Sequence, residues 1–276
     1  NEHPKIDISG FPSIKFGIET AFKDLKNKGK RTIFKNDFSK GVKQIRINGL
    51  IWMGESLFMK NQIKEKLDHG FSCLKLKIGA LNFRDEFSIL KNIRNVFSKD
   101  SLELRVDANG AFDPSDALFK LDQLSKLDIH SIEQPIATNQ LEEMKQLCAI
   151  SPVPIALDEE LIKIRNNSEK ENLISFIKPQ YLILKPSLLG GFKETQQWIE
   201  IAKKKNINWW ITSALESNIG LNAIAQYCSE FKLDLPQGLG TGNLYKNNIT
   251  SPLTLDGELL YYDIKKDWEL NNLFNS

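Results

Sequence analysis

The sequence predicts an α/β fold built on a closed, eight-stranded (β/α)8-type barrel, and three observations carry that prediction. Short apolar, β-branched runs start about every 22 to 29 residues, the length of one strand, one helix and two short loops. The segments between them carry helical periodicity. Charged residues, which buried parallel strands avoid, gather at the C-terminal end of one run after another. A doubly wound open sheet is the alternative that the same alternation allows.

Length and composition agree with one barrel. The chain has 276 residues, 41% of them hydrophobic and 26% charged, with 37 basic and 35 acidic side chains. The resulting net charge of +2 gives no electrostatic reason to expect nucleic acid or a membrane surface as a partner. The cysteines Cys73, Cys148 and Cys228 are too scattered for a disulfide framework or a CxxC site, which favours reduced thiols and a cytoplasmic location. No apolar run reaches the ~20 residues that span a bilayer. The first residues, Asn1-Glu2-His3-Pro4, lack a Met and a signal-peptide pattern, so the start reads as the inside of a longer protein. Oligomeric state is left open.

In chain order, Pro12–Lys26 reads as a helix ahead of the repeat, followed by a charged, glycine-containing turn at 26–30. Strand runs are Gln44–Trp52, Cys73–Ile78, Leu102–Val106, Ile129–Ile132, Val153–Leu157, Tyr181–Leu184 and Ile207–Thr212, with a weaker eighth at Leu233–Leu239. Between them, Glu55–His69 stops at Gly70, and Asn82–Phe97 places Phe83, Phe87, Leu90 and Val96 near one face. Asp113-Pro114 starts the next helix, and Gly191–Lys205 and Ile219–Phe231 read likewise. After residue 251, two strand-like stretches flank Asp256-Gly257, a hairpin signal.

The strand ends carry the chemistry. Lys75 and Lys77 alternate with Leu74, Leu76 and Ile78 and therefore share one side of their strand. Asp107, Glu133, Asp158 with Glu159, and Lys185 end the next four strands, and Ser213 and Glu216 follow the seventh. Any one strand-end Asp could be a helix N-cap. Six charges on five consecutive strands at the same end are better explained by one site at the barrel mouth. Three carboxylates brought together repel and raise one another's pKa, and a divalent cation relieves this. Oxygen ligands suit Mg²⁺ or Mn²⁺. His3, His69 and His130 do not end strands in this set, which argues against a histidine-rich zinc site. A cation beside the lysines would lower a lysine pKa and make it a usable base. Trp209-Trp210 read as packing residues, and Gly190-Gly191 as a loop or an anion-binding helix start.

At these residues the chain resembles the enolase superfamily, in its muconate-lactonizing-like branch. The matching pieces are Leu74-Lys75-Leu76-Lys77-Ile78-Gly79, Arg105-Val106-Asp107-Ala108-Asn109-Gly110-Ala111, Ile132-Glu133-Gln134-Pro135, Leu157-Asp158-Glu159 and Leu184-Lys185-Pro186. The likeness runs from about residue 11 to 257. Further stretches, Phe11 to Ala21, Lys185 to Gly191, Ser213 to Gly220 and Gly238-Leu239-Gly240-Thr241, resemble the dehydrating members of that branch. Dipeptide epimerases carry an Asp-x-Asp pattern near the last strand, from which Gly-Leu-Gly-Thr departs.

The resemblance implies a (β/α)7β modified TIM barrel with a remnant of an α+β N-terminal capping domain. Residues 1–40 would be the C-terminal part of that cap, whose larger part is absent from this chain; 41–250 would be the barrel, and 251–276 a segment returning to the cap. It implies metal ligands Asp107, Glu133 and Asp158, a catalytic Lys77 supported by Lys75, and a cationic Lys185 on the opposite face. Arg105, Asn109, Glu159 and Glu216 would lie behind them, and Ser213, Gly240 and Thr241 would contact a small carboxylate substrate. The implied reaction is syn dehydration of 2-succinyl-6-hydroxy-2,4-cyclohexadiene-1-carboxylate to 2-succinylbenzoate in menaquinone biosynthesis. An N-succinylamino acid racemase or another epimerase is the alternative, and a non-catalytic metabolite-binding barrel a further one.

Overall fold

The computed structural model describes residues 7–270. The outermost residues of both end segments, His3 among them, lie outside the described range.

The helix α1 (Pro12–Lys26) begins with proline in its first turn, where the missing N–H costs nothing. The run predicted at Gln44–Trp52 divides into β1 (Ile45–Arg46) and β2 (Gly49–Ile51). Its two halves serve different sheets: β1 pairs antiparallel with a C-terminal strand, while β2 starts the barrel by pairing parallel with β3 (Cys73–Lys77). Successive parallel strands follow: β4 (Glu103–Asp107), β5 (Ser131–Glu133), β6 (Ile155–Leu157), β7 (Tyr181–Leu184) and β8 (Asn208–Ile211). The connecting helices are α2 (Ser56–Asp68), α3 (Phe83–Val96), α4 (Pro114–Ser125), α5 (Leu141–Ile150), α6 (Glu159–Ile162), α7 (Asn167–Ile177), α8 (Pro186–Leu189), α9 (Phe192–Lys204) and α10 (Asn218–Cys228). A hairpin of β9 (Leu253–Asp256) and β10 (Leu259–Tyr262) turns at Asp256-Gly257, as its sequence predicts.

The eighth barrel strand differs from expectation. In place of a strand at Leu233–Leu239, the segment contributes two bridging residues, Gln237 to Ile47 and Gly238 to Thr212. Asn48 N–H donates to the Gln237 carbonyl (2.9 Å), and Gly238 N–H donates to the Ile211 carbonyl (2.9 Å), so the seven strands still close. Pro236 has no N–H to extend the ladder, which keeps this strand short. Strand interiors such as Leu74, Leu76, Leu104, Val106, Ile132 and Leu182 are fully buried between barrel and helices, as parallel strands covered by helices require.

α1 is fastened to the outside of the mouth. Lys15 and the buried Lys170 both donate to Glu194 (2.7 and 2.6 Å). Glu19 accepts the first N–H of α9, from Phe192 (2.6 Å), so this helix start holds the chain's own carboxylate. Gly191 has a φ of +102°, and a Cβ there would run into the Glu19 carboxylate. Gly191→Ala is therefore expected to destabilise the fold by about 1–3 kcal/mol and to loosen α1. Thermal unfolding and amide exchange along α1 test this; unchanged protection would show that Glu19 does not anchor the helix.

Candidate active site

Parallel register sets the site. Lys77 lies opposite Asp107 across β3–β4, and Asp107 opposite Glu133 across β4–β5. Asp158 and Lys185 follow β6 and β7 directly. All three carboxylates are essentially fully buried. Asp158 starts α6 but makes no capping bond to it, so its side chain is free for the barrel mouth.

Each carboxylate meets a lysine. Lys75 Nζ lies 3.0 Å from Asp107 Oδ2 and donates to Glu133 Oε2. Lys77 Nζ donates to Asp107 Oδ2 (3.0 Å) and to Asn109 Oδ1 (2.7 Å). Lys185 donates to Asp158 and stands 3.8 Å from Glu133 Oε1. Asn109 in turn donates to Glu159 (2.8 Å), so Glu159 and Asn109 form a chain that orients Lys77. As the side chains stand, no three acidic, histidine or cysteine groups converge on a common point among the described residues.

The electrostatics explain this pairing. Burial alone would raise Asp107, but Lys75, Lys77 and Lys185 outweigh it and hold its carboxyl well below the ordinary 3.8. Glu133 goes the other way: burial, then repulsion from Asp107, push it up to about 8 despite the lysines. Burial also raises Asp158, with Lys185 opposing. Burial disfavours charge on Lys75 and Lys185, yet their carboxylate neighbours outweigh it and raise both. Glu133 Oε1 is buried with no hydrogen-bond donor. A strained trio of hard oxygen donors, one of them unpaired, fits a divalent cation.

Above the lysines opens a cavity of about 590 Å³. Gly240 and Thr241 line it, as expected for substrate contacts, and so does Glu216, which accepts from Ser187. Two predicted residues lie outside that lining. Ser213 stands behind the cavity wall, its hydroxyl bonded to Thr241 (2.8 Å) and the Gly238 carbonyl (3.1 Å). Arg105 sits one layer below the carboxylates, where its anionic partner is the partly buried Glu103. Its Nε donates there (2.7 Å), its Nη1 donates to the Pro236 carbonyl (2.9 Å), and it stacks 4.2 Å over Trp210. Trp210 is thus core, as its sequence suggested. Sequence reasoning missed Ser13, Phe16, Asn48, Leu50, Trp52 and Thr212 in the cavity wall. Asn48 is a polar residue late in a strand run, between Ile47 and Gly49-Leu50-Ile51, a signal that could have found it.

The family model for enolase C-terminal domain-like proteins matches residues 59–258. The chain is 54% identical over 250 residues to the o-succinylbenzoate synthase of Desulfotalea psychrophila, covering 91% of this chain and 68% of that protein. The crystal structure of MenC from the same organism superposes with a TM-score of 0.86 at 52% identity, over 91% of this chain and 69% of that one. An N-succinylamino acid racemase from Amycolatopsis is 29% identical over 195 residues, covering 69% of this chain and 50% of that protein.

Lys75 is the buried cation shared by Asp107 and Glu133. Lys75→Met should cost about 3–5 kcal/mol in urea denaturation, because it removes the buried cation that Asp107 and Glu133 share and takes the donor from Glu133 Oε2. Asp107 is held below its unfolded value, so its share of stability is present above about pH 4 and lost as pH falls. The variant should lose that acid-sensitive share; a stability and pH profile matching the parent would refute the pairing.

Proposed function

Since the chain belongs to the enolase C-terminal domain-like family, we propose that it works as an o-succinylbenzoate synthase, dehydrating 2-succinyl-6-hydroxy-2,4-cyclohexadiene-1-carboxylate to 2-succinylbenzoate. The carrying observation is one cavity into which Lys77 and Lys185 reach from separate strands, above a buried carboxylate trio. The 54% identity to a synthase supports the choice of reaction.

Enolase-superfamily enzymes depend on a divalent metal, and Asp107, Glu133 and Asp158 would hold it here, Mg²⁺ or Mn²⁺ by the hardness of their oxygens. When bound, the ion supplies Lewis-acid stabilisation of charge on the substrate carboxylate. It would also replace the positive charge the lysines now give the trio, leaving them for chemistry.

The substrate loses a proton from C1 and hydroxide from C6 on the same face of the ring. One acid–base group on that face can do both. Neutral Lys77 takes the C1 proton, and the electron pair moves into the ring carboxylate as an enediolate. The resulting ammonium then protonates the leaving hydroxyl, which departs as water while the ring becomes aromatic. Asn109, itself held by Glu159, aims Lys77. Lys185, on the other face, stabilises the enediolate electrostatically as a cation. The free, buried cysteines support a cytoplasmic setting, and among the described residues no helix is long and apolar enough to cross a membrane.

A lysine on each face favours a second activity, 1,1-proton transfer on N-succinyl amino acids, as in the racemase relative.

Lys77→Ala should lower dehydration by roughly a thousandfold or more in a UV assay of aromatisation, and chelation with EDTA should abolish turnover until Mg²⁺ or Mn²⁺ is returned. Turnover that survives either change would sink the role it tests. In D₂O, N-succinyl amino acids should exchange their α-proton with the parent protein and stop racemising in Lys185→Ala. No exchange with the parent rejects the second activity.

A further inference from the structure

Asn82, Asp113 and Asn166 each cap the helix they start. Their ψ angles are 134°, 135° and 154°, and each side chain accepts a backbone N–H from the first turn. Asp158 stands at the same position of α6, and aspartate is a preferred capping residue. Yet its ψ is −81°, and its carboxylate makes no capping bond. That carboxylate accepts from Lys185 instead. The N–H groups it leaves are taken by a side chain from another strand end. Gln134 Oε1 accepts from the N–H of Asp158 (3.3 Å) and from that of Glu160 (3.4 Å). The Glu160 N–H is one that an Asp158 cap would claim. Gln134 Nε2 donates to the Ile136 carbonyl (3.1 Å) and to the buried Glu160 carboxylate (3.4 Å). The main chain of Gln134 is fixed as well. Its N–H donates to the Ala156 carbonyl (2.9 Å), and its carbonyl accepts from Gly110 N–H (2.7 Å). The residue is buried, with a φ of +40° directly after Glu133, a conformation that persists only where the surroundings enforce it.

We propose that Gln134 is a positioning residue for the cation site: by serving the first N–H groups of α6 in place of Asp158, it keeps the Asp158 carboxylate from folding back onto its own helix. Without that amide the Glu160 N–H would be buried with no acceptor, and the nearest carboxylate able to serve it is Asp158. Taking up that role would draw Asp158 away from Lys185, the cation it shares with Glu133. Gln134 follows one of the three carboxylates in sequence and grips the backbone of another, so it also ties Glu133 and Asp158 to a common frame. Second partners of this kind set how metal ligands are presented.

The inference rests on the proposed metal site, so Mn²⁺ binding to the parent protein is measured first, by electron paramagnetic resonance of the free ion. Gln134→Leu removes both the acceptor and the donor, and should weaken Mn²⁺ binding about 10- to 100-fold. Its crystal structure should show the Asp158 carboxylate turned from Lys185 onto the Glu160 N–H. The exchange of Gln134→Glu with Glu160→Gln returns an acceptor to α6 and an amide donor to the pair, and should bind Mn²⁺ nearly as the parent does. Unchanged affinity in Gln134→Leu, or an Asp158 that stays on Lys185 in its structure, overturns the role while the metal site stands. So does an exchange variant as weak as Gln134→Leu. Should Gln134→Leu fail to fold, the exchange variant decides alone: parent-like affinity supports the role, and weakened affinity overturns it. A parent that binds no Mn²⁺ overturns both the metal site and the role.

Discussion

The constraint on which the mouth of this barrel depends is charge balance below the protein surface. Parallel pairing puts Asp107 beside Glu133 with no freedom to separate, and Asp158 follows on the next strand. Three buried carboxylates could not persist there unopposed. Lys75, Lys77 and Lys185 supply the opposing charge, and Lys75 does so from within the wall itself. The balance is incomplete. Glu133, squeezed between Asp107 and its own burial, stays raised to about 8 and keeps one oxygen unpaired. On the proposed reading, a hard cation would relieve that imbalance and release the lysines.

The elements around the mouth transmit this arrangement outward. α1 contributes Ser13 and Phe16 to the cavity, and it is held there from three directions. Ser13 donates to the Ser187 carbonyl, Lys15 shares Glu194 with the buried Lys170, and Glu19 takes the first N–H of α9. The buried ammonium of Lys170 is tolerated because Glu194 and Gln197 both accept from it. The cavity wall thus extends beyond the strands without depending on apolar contact alone.

Much of this was legible from residue order. Period and punctuation located α1, most barrel strands and the terminal hairpin, because Pro12, Gly70, Asp113-Pro114 and Asp256-Gly257 are local signals read by local physics. α5 was harder: Gln140 makes no side-chain cap, so nothing marks its start. Asn166, by contrast, caps α7 by accepting from Glu169 N–H and was a usable signal. The two-residue closing strand is set by pairing across the whole chain, and no local pattern specifies it. The carboxylates and lysines stood out because charge at the end of an apolar run is anomalous. Arg105 looked equally anomalous, yet its partner Glu103 lies two residues back on the same face, and the pair belongs to the barrel floor.

What distinguishes one reaction from another in such a barrel is therefore not its ionic half. Lysines on two faces over a carboxylate trio permit proton removal next to any carboxylate, whether the outcome is loss of water or inversion. A syn elimination asks one lysine to act twice, while racemisation asks each to act once, and the side chains present serve both. Discrimination must come from how the rest of the substrate is held relative to Lys77, so that the leaving hydroxyl and the proton present the same face. The wall across the cavity from the carboxylates, with Asn48 and Thr212 beside the closing segment, carries no lysine. A substrate held against both that wall and the carboxylate side would have its ring fixed between the lysines, and a fixed ring is what lets one lysine act on two groups of the same face.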